Sequence, residues 1–139
     1  MKVFRRALVS LSVLGALAMS MIALAAPAQA LPTCTINASV GGPGLSYWFW
    51  PAAANGDANC VMGRGNQGQA VRSLQSNLNI CYGQGLAEDG IYGAATERAV
   101  RNVQVAIGAR ADGVYGPETR SKMAWYTYVP GGERCLVHG

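Results

Sequence analysis

Apolar residues in the second half of the chain recur at helical spacing. Val71, Leu74, Leu78 and Cys81 follow one another at steps of three, four and three residues, so they form one apolar stripe. A run rich in Gly and Asn precedes this stripe, and a Tyr-Gly-Gln-Gly sequence follows it. The pattern predicts a first helix of about three turns that begins near Gln69.

A second stripe follows the same rule. It consists of Ala99, Val100, Val103 and Ile107, and Gly108 stands where a helix would end in the left-handed conformation that glycine adopts easily. The pattern predicts a second helix that packs on the first through its narrow apolar side.

A third helix is predicted from Pro117 to about Tyr126, with Met123 and Tyr126 at positions that match Val100 and Val103. None of the three stripes can bury itself, but three together can form a small core. The predicted fold class is therefore all-α, with a compact three-helix core between about Gly63 and Tyr126.

One phrase precedes both of the later helices. "DGIYGAAT" runs from Asp89 to Thr96, and "DGVYGPET" runs from Asp112 to Thr119, 23 residues further on. An Asp can accept hydrogen bonds from N–H groups two or three residues on, and the next Gly permits a turn that other residues resist. Each copy is expected to be a turn that begins a helix. Each offers one loop carboxylate, too few for calcium, and no metal or other cofactor is predicted.

The first 30 residues have a different character. Lys2, Arg5 and Arg6 precede an apolar stretch, and the segment closes on Ala28-Gln29-Ala30, which has the form that signal peptidases accept. We interpret residues 1–30 as a secretory signal peptide, with a retained membrane anchor as the alternative.

Removing this segment changes the charge argument. It holds three of the 11 basic residues and none of the seven acidic residues, so eight basic and seven acidic residues remain in 109. A net charge near +1 indicates neither nucleic acid nor a membrane surface as partner.

The four cysteines all lie outside the predicted signal peptide. An exported chain with an even number of cysteines implies two disulfides, for which three pairings exist. Zinc is disfavoured because no C-x-x-C occurs and the only histidine, His138, is next to last. A fold-back of the Gly-rich residues before the first helix would pair Cys60 with Cys81 and leave Cys34 with Cys135. This is the preferred pairing, ahead of Cys34–Cys60 with Cys81–Cys135.

Taken together, the helices and the doubled phrase resemble the peptidoglycan-binding domain found on many bacterial cell-wall hydrolases. The likeness covers about Cys60 to Tyr126, and one departure is Val103, where that family usually has an aromatic residue. Its pattern is matched at Val71, Leu74, Gln75 and Leu78, then Asp89, Gly90, Tyr92, Gly93, Thr96, Ala99, Val100 and Gln104, then Asp112, Gly113, Gly116 and Thr119.

The resemblance implies a three-helix, non-catalytic module that binds bacterial peptidoglycan, and residues 60–139 are assigned to it together with a C-terminal tail. With the signal peptide, this predicts a secreted, cell-wall-associated protein. The ligand-binding residues that it implies are Tyr92, Arg98, Asn102 and Tyr115. Aromatic faces can stack on sugars, and Arg and Asn can bond to peptide carboxylates and amides. The opposing interpretation is that both tyrosines belong to the core.

The resemblance does not explain residues 31–59, which show no sustained period and are predicted to form an irregular arm. This arm contains Tyr47, Trp48, Phe49 and Trp50. These residues could form a sugar-stacking platform or receive a protein partner, or some of them could cover the small core.

Two further function classes remain open. The first is a secreted, disulfide-stapled inhibitor or interaction protein on the same fold. The second is a small cell-wall hydrolase, which we disfavour because one histidine cannot build a zinc site and the acidic residues lie in turns and helix starts.

Overall fold

The computed structural model describes residues 30–41 and 47–138. The signal peptide predicted at residues 1–30 lies outside this range except for Ala30, and the side chains of Tyr47 and Trp48 also lie outside it. Along the chain, the elements are β1 Ile36–Val40, β2 Tyr47–Ala52, α1 Gln69–Tyr82, α2 Ala94–Ala106, α3 Pro117–Lys122, β3 Ala124–Val129 and β4 Gly132–Val137.

The all-α prediction is wrong, because the fold is mixed α/β. The four strands form one antiparallel sheet in the order β1-β2-β3-β4. Among the described residues, β2 and β3 pair through Tyr47 with Tyr128 and Trp48 with Thr127. Helix α1 packs against β1, β2, β3 and α2, so the sheet and the helices share one core.

The third helix is shorter than predicted. It ends at Lys122, and β3 begins at Ala124. Trp125 and Thr127 are both fully buried while the residues between and after them are more exposed, which is the alternation of a strand with one buried face. The helical match of Met123 and Tyr126 was therefore accidental, and strand packing of Trp125 decides the conformation.

The predicted irregular arm is also wrong, since residues 31–59 contain β1 and β2. Trp50 is only 6% exposed and belongs to the core, whereas Phe49 on the other face of β2 is 49% exposed. One of these rings therefore covers the core, as one interpretation of the sequence held, while its neighbour faces solvent.

The cysteines pair as Cys34–Cys60 and Cys81–Cys135, so the preferred pairing is wrong. A parallel bridge between Thr33 and Val61 sets Cys34 beside Cys60, with their Cα atoms 5.1 Å apart. The fold-back of residues 61–68 runs toward the two turns instead of toward the end of α1. The second pair joins the end of α1 to β4, with Cα atoms 5.6 Å apart.

The two long helices form as predicted. Val71, Leu74 and Leu78 of α1 and Val100 and Val103 of α2 are buried. Within the described residues, no helix has the length and apolar content needed to cross a bilayer.

Candidate functional site

The first copy of the repeated phrase is a turn held by a buried glutamine of α1. The Nε2 of Gln75 donates to Asp89 Oδ1 at 3.0 Å, to the Ile91 carbonyl at 3.0 Å and to Thr96 Oγ1 at 3.1 Å. The N–H of Gly90 donates back to Gln75 Oε1 at 2.8 Å, and Asp89 Oδ1 also accepts the Ile91 N–H. The amide of Gln75 thus replaces the solvent that this turn would otherwise need.

The second copy repeats this arrangement atom for atom around Gln104 of α2. Its Nε2 donates to Asp112 Oδ1, the Val114 carbonyl and Thr119 Oγ1 at 3.0, 2.9 and 3.0 Å, and the Gly113 N–H donates to its Oε1 at 2.8 Å. The repeating unit is therefore larger than the phrase: it includes the helix before each turn, with Gln75 and Gln104 in equivalent positions.

The two tyrosines of the predicted site are core residues. Tyr92 and Tyr115 are both fully buried, and the Tyr92 hydroxyl donates to the Gly113 carbonyl at 2.8 Å. Tyr115 packs edge-on against Trp125 with ring centroids 6.0 Å apart. Burial raises the pKa of both phenols well above the ordinary tyrosine value. Neither ring can stack on a sugar, so these two tyrosines are not part of the candidate site.

Arg98 and Asn102 are exposed and lie together on the outer side of α2. They line a groove of about 230 Å³ with the loop after α1, here called the α2 groove. The Nδ2 of Asn102 contacts Gln84 Oε1 at 3.4 Å, which ties this loop to α2. The structure therefore brings together one cation and two amides at the edge of a concave surface. The remaining lining residues are Gly85, Leu86, Ala95 and Ala99.

A larger groove, which the sequence did not predict, runs beside the exposed face of α1. This α1 groove has a volume of about 650 Å³ between β1 and the first turn. Its lining includes Arg72, Ser73, Ser76 and Glu88, all polar. The available signal was the spacing of Arg72, Ser73 and Ser76 on the side of α1 opposite its apolar stripe.

An insertion in the first repeat borders both grooves. Ten residues separate Leu78 from Asp89, but only four separate Ile107 from Asp112. The longer loop is held by Asn79, whose Nδ2 donates to the Leu86 carbonyl at 2.9 Å and whose Oδ1 accepts the Leu86 N–H at 2.7 Å. This loop supplies Gln84, Gly85 and Leu86 to the α2 groove and Glu88 to the α1 groove.

The carboxylates near the turns are already engaged by protein groups. Arg64 bonds to Glu97 at 2.6 Å and lowers its pKa, with Arg101 contributing from the next turn of α2. The Ile91 N–H and the Gln75 amide lower the pKa of Asp89. These groups stay charged in mild acid and serve as acceptors. Within residues 30–41 and 47–138, no three His, Cys, Asp or Glu side chains cluster as a metal site.

Residues 67–123 match the family described as "Putative peptidoglycan binding domain". The match includes α1, α2, α3 and both turns, and it excludes the four strands. The resemblance seen in the sequence is therefore confirmed over residues 67–123, the part of the chain that matches this family.

Two curated bacterial proteins are similar to the chain. The zinc D-Ala-D-Ala carboxypeptidase of Streptomyces albus G is 37% identical over 99 residues, which is 69% of this chain and 36% of that protein. The probable N-acetylmuramoyl-L-alanine amidase of Bacillus licheniformis is 38% identical over 63 residues, which is 41% of this chain and 18% of that protein. The chain therefore spans about a third or less of the length of these relatives.

A solved structure is also similar, that of a peptidoglycan-binding protein from Clostridioides difficile in complex with glutamine hydroxamate. It is 25% identical, with a TM-score of 0.46, over 60% of this chain and 53% of that one.

Proposed function

We propose that this protein is a non-catalytic module that binds bacterial peptidoglycan. The observation that carries the proposal is that residues 67–123 match a peptidoglycan-binding family while the structure leaves Arg98 and Asn102 exposed in one groove. The names of the two curated relatives support it, because D-Ala-D-Ala and N-acetylmuramoyl-L-alanine are both parts of peptidoglycan.

The α2 groove is suited to the peptide part of this polymer. The Arg98 guanidinium can bind a carboxylate through two parallel hydrogen bonds, and the amide of Asn102 can pair with a peptide group. Ala95 and Ala99 leave the floor of the groove open between them. The groove therefore offers charge and amide recognition together on the rigid surface of a helix.

The non-catalytic assignment is supported by the contacts of the cysteines and carboxylates that could otherwise take part in catalysis. All four cysteines are in disulfides. Asp89 and Asp112 hold the two turns, and Glu97 pairs with two arginines. A carboxylate pair that does acid–base chemistry needs freedom to change protonation, whereas these acceptors are fixed by neighbouring donors.

We also propose that the protein is exported and associated with the cell wall. The signal-like residues 1–30 and the two disulfides support this, because disulfides persist in oxidising compartments outside the cytoplasm.

The binding test is co-sedimentation of the protein with purified, insoluble peptidoglycan. We expect the parent protein to pellet with the polymer and Arg98→Ala to bind about tenfold more weakly, since a hydrogen bond to a charged group is lost. Asn102→Ala should act in the same direction. Arg134→Ala is the matched control, because Arg134 is an exposed arginine on β4 outside both grooves.

Two outcomes would contradict the proposal. If the parent stays in the supernatant, the chain is an interaction protein that uses this fold for another partner. If incubation releases soluble muropeptides from labelled cell walls, the protein is a hydrolase.

A further inference from the structure

The α1 groove extends past its polar part into an aromatic part. A second cavity of about 200 Å³ adjoins it, and Ser73 and Ser76 line both cavities. Residues three apart on a helix are neighbours on one face, so these two serines mark a continuous surface. From Gln69 at one end to Ile80 at the other, this surface follows about 16 Å of helix.

The polar part can donate and accept hydrogen bonds side by side. Arg72 is exposed and makes no ion pair in the part of the chain that the structure describes. Glu88 and Asp89 each accept a bond from an amide of the protein, which fixes both carboxylates at the border of the groove. Hydroxyls, a guanidinium and carboxylates thus line one concave surface.

The aromatic part is supplied by the sheet. Phe49 of β2 lines it and is 49% exposed, and Ile80 of α1 lines it and is 53% exposed. Tyr126 of β3 completes the border. Phe49 and Tyr126 both lie outside residues 67–123, so the strands supply this apolar surface from outside the residues that match the family.

The chemistry of this surface excludes several ligand classes. One arginine against two carboxylates does not attract a polyanion. The many polar groups disfavour a lipid, and an open groove does not enclose a small apolar molecule. A carbohydrate chain fits, because each sugar unit presents hydroxyls at its edge and C–H groups on its face.

We propose that the α1 groove binds a carbohydrate chain, with sugar hydroxyls bonded near Arg72 and Ser76 and one sugar ring stacked on Phe49. This inference rests on the proposed function, since it assigns the glycan strand of peptidoglycan to the α1 groove. The α2 groove then takes the peptide.

The test uses soluble glycan strands from which the stem peptides have been removed, with binding measured by isothermal titration calorimetry. We expect the parent to bind these strands and Phe49→Ala to bind them about fivefold more weakly, as an aromatic contact is lost. Ser76→Gln should weaken binding at least as much, because a longer side chain would fill the junction of the two cavities. Glutamine favours helix more than serine, so this variant should stay folded.

Two controls change similar residues outside the groove. Tyr128→Ala removes an exposed aromatic ring from β3, and Val105→Gln adds the same amide to an exposed position of α2. Both should bind the strands as the parent does. Phe49→Trp should retain binding, which separates ring stacking from a general effect on β2.

The proposal is overturned if the parent does not bind the peptide-free strands, or if Phe49→Ala and Ser76→Gln bind them as the parent does. It is also overturned if free stem peptides bind the parent and Ser76→Gln abolishes that binding. In each case, sedimentation of the parent with intact peptidoglycan still decides the proposed function separately.

Discussion

The two turns of the molecule are chemically alike inside and different outside. In both, a buried glutamine bonds to the Asp, a carbonyl and the Thr at 2.9–3.1 Å, and the Gly N–H bonds back at 2.8 Å. In the second turn, Gly113 lies against Glu97 and Arg101, and the turn borders a cavity of about 190 Å³, which is smaller than the α1 groove. The outer side of the first turn opens on the α1 groove.

The residue pair Arg72 and Arg101 shows what this difference means. They occupy equivalent positions, three residues before Gln75 and Gln104. Arg101 is bonded to Glu97 at 3.0 Å, whereas Arg72 faces the groove without such a partner among the described residues. The same residue therefore has different surroundings in the two repeats, and these surroundings leave Arg72, but not Arg101, available for binding.

The strongest test of the likeness is to remove each glutamine. Gln75→Ala and Gln104→Ala should each lower the free energy of unfolding by about 2–4 kcal/mol, because a buried Asp, carbonyl, Thr and N–H lose their common partner. Urea denaturation measures this, with the exposed Gln67→Ala as a control that should change little. A loss at one site and none at the other would show that the two turns are not energetic equivalents.

A smaller loss of stability should distinguish the outer sides of the two turns. Gly90 and Gly113 both have φ of +74°, so an Ala is strained at either position. At Gly113 the new Cβ would also lie 2.7 Å from Glu97 Cγ and 3.2 Å from the Glu97 carbonyl oxygen, whereas at Gly90 the nearest atom is the Gly68 oxygen at 3.0 Å. We expect Gly90→Ala to cost about 1–2 kcal/mol and Gly113→Ala about 1 kcal/mol more. Equal melting temperatures for the two variants would contradict the closer packing of the second turn.

The smallest expected effect is on the loss of folding stability in acid. The Ile91 N–H and the Gln75 amide lower the pKa of Asp89. Burial alone would raise the pKa of Asp112, but the hydrogen bonds from the Val114 N–H and Arg110 outweigh burial, so this pKa is also lowered. Because folding lowers both pKa values, the stability that they contribute is present above the unfolded pKa of about 4 and is lost as the pH falls below it, through the lower pKa of the folded state. Urea midpoints at pH 3 and pH 7 should differ less in Asp112→Asn than in the parent. The same reduction is expected for Asp89→Asn. If the urea midpoints at pH 3 and pH 7 differed more in either variant than in the parent, the contribution of these two carboxylates to stability would be contradicted.

The sequence predicted α1, α2 and both turns because their signals are local. The 3-4-3 spacing of Val71, Leu74, Leu78 and Cys81 extends over three turns, and each Asp-Gly pair dictates its own backbone. In contrast, the strand signal of β3 consists of two inward residues, Trp125 and Thr127. This signal is too short to outweigh the helical match of Met123 and Tyr126, which favoured a longer third helix. The Pro-Gly pair between β3 and β4 was a turn signal that the prediction of a third helix did not use.

The disulfides and the α1 groove could not be predicted in this way. Cys135 reaches Cys81 because β4 pairs with β3 beside the end of α1, and that placement exists only in the assembled sheet. The α1 groove likewise needs β1, the first turn and α1 together. The exposure of Arg98 and Asn102 could be predicted because it follows from the period of the helix, and their role in binding stays a prediction. The burial of Tyr92 and Tyr115 could not be predicted, because no such period applies to a turn.

The two disulfides also determine how the protein would respond to mechanical force. Tension applied at Pro32 and His138 would pass from Cys34 to Cys60, along the chain to Cys81, and across to Cys135. The residues enclosed by the two crosslinks, including α2, α3 and both turns, would be shielded from the pull. Apart from the few residues between each crosslink and its point of attachment, the segment that could extend is residues 60–81, to about 75 Å when fully stretched. Helix α1 and the groove beside it are therefore the part of this molecule that tension would unfold.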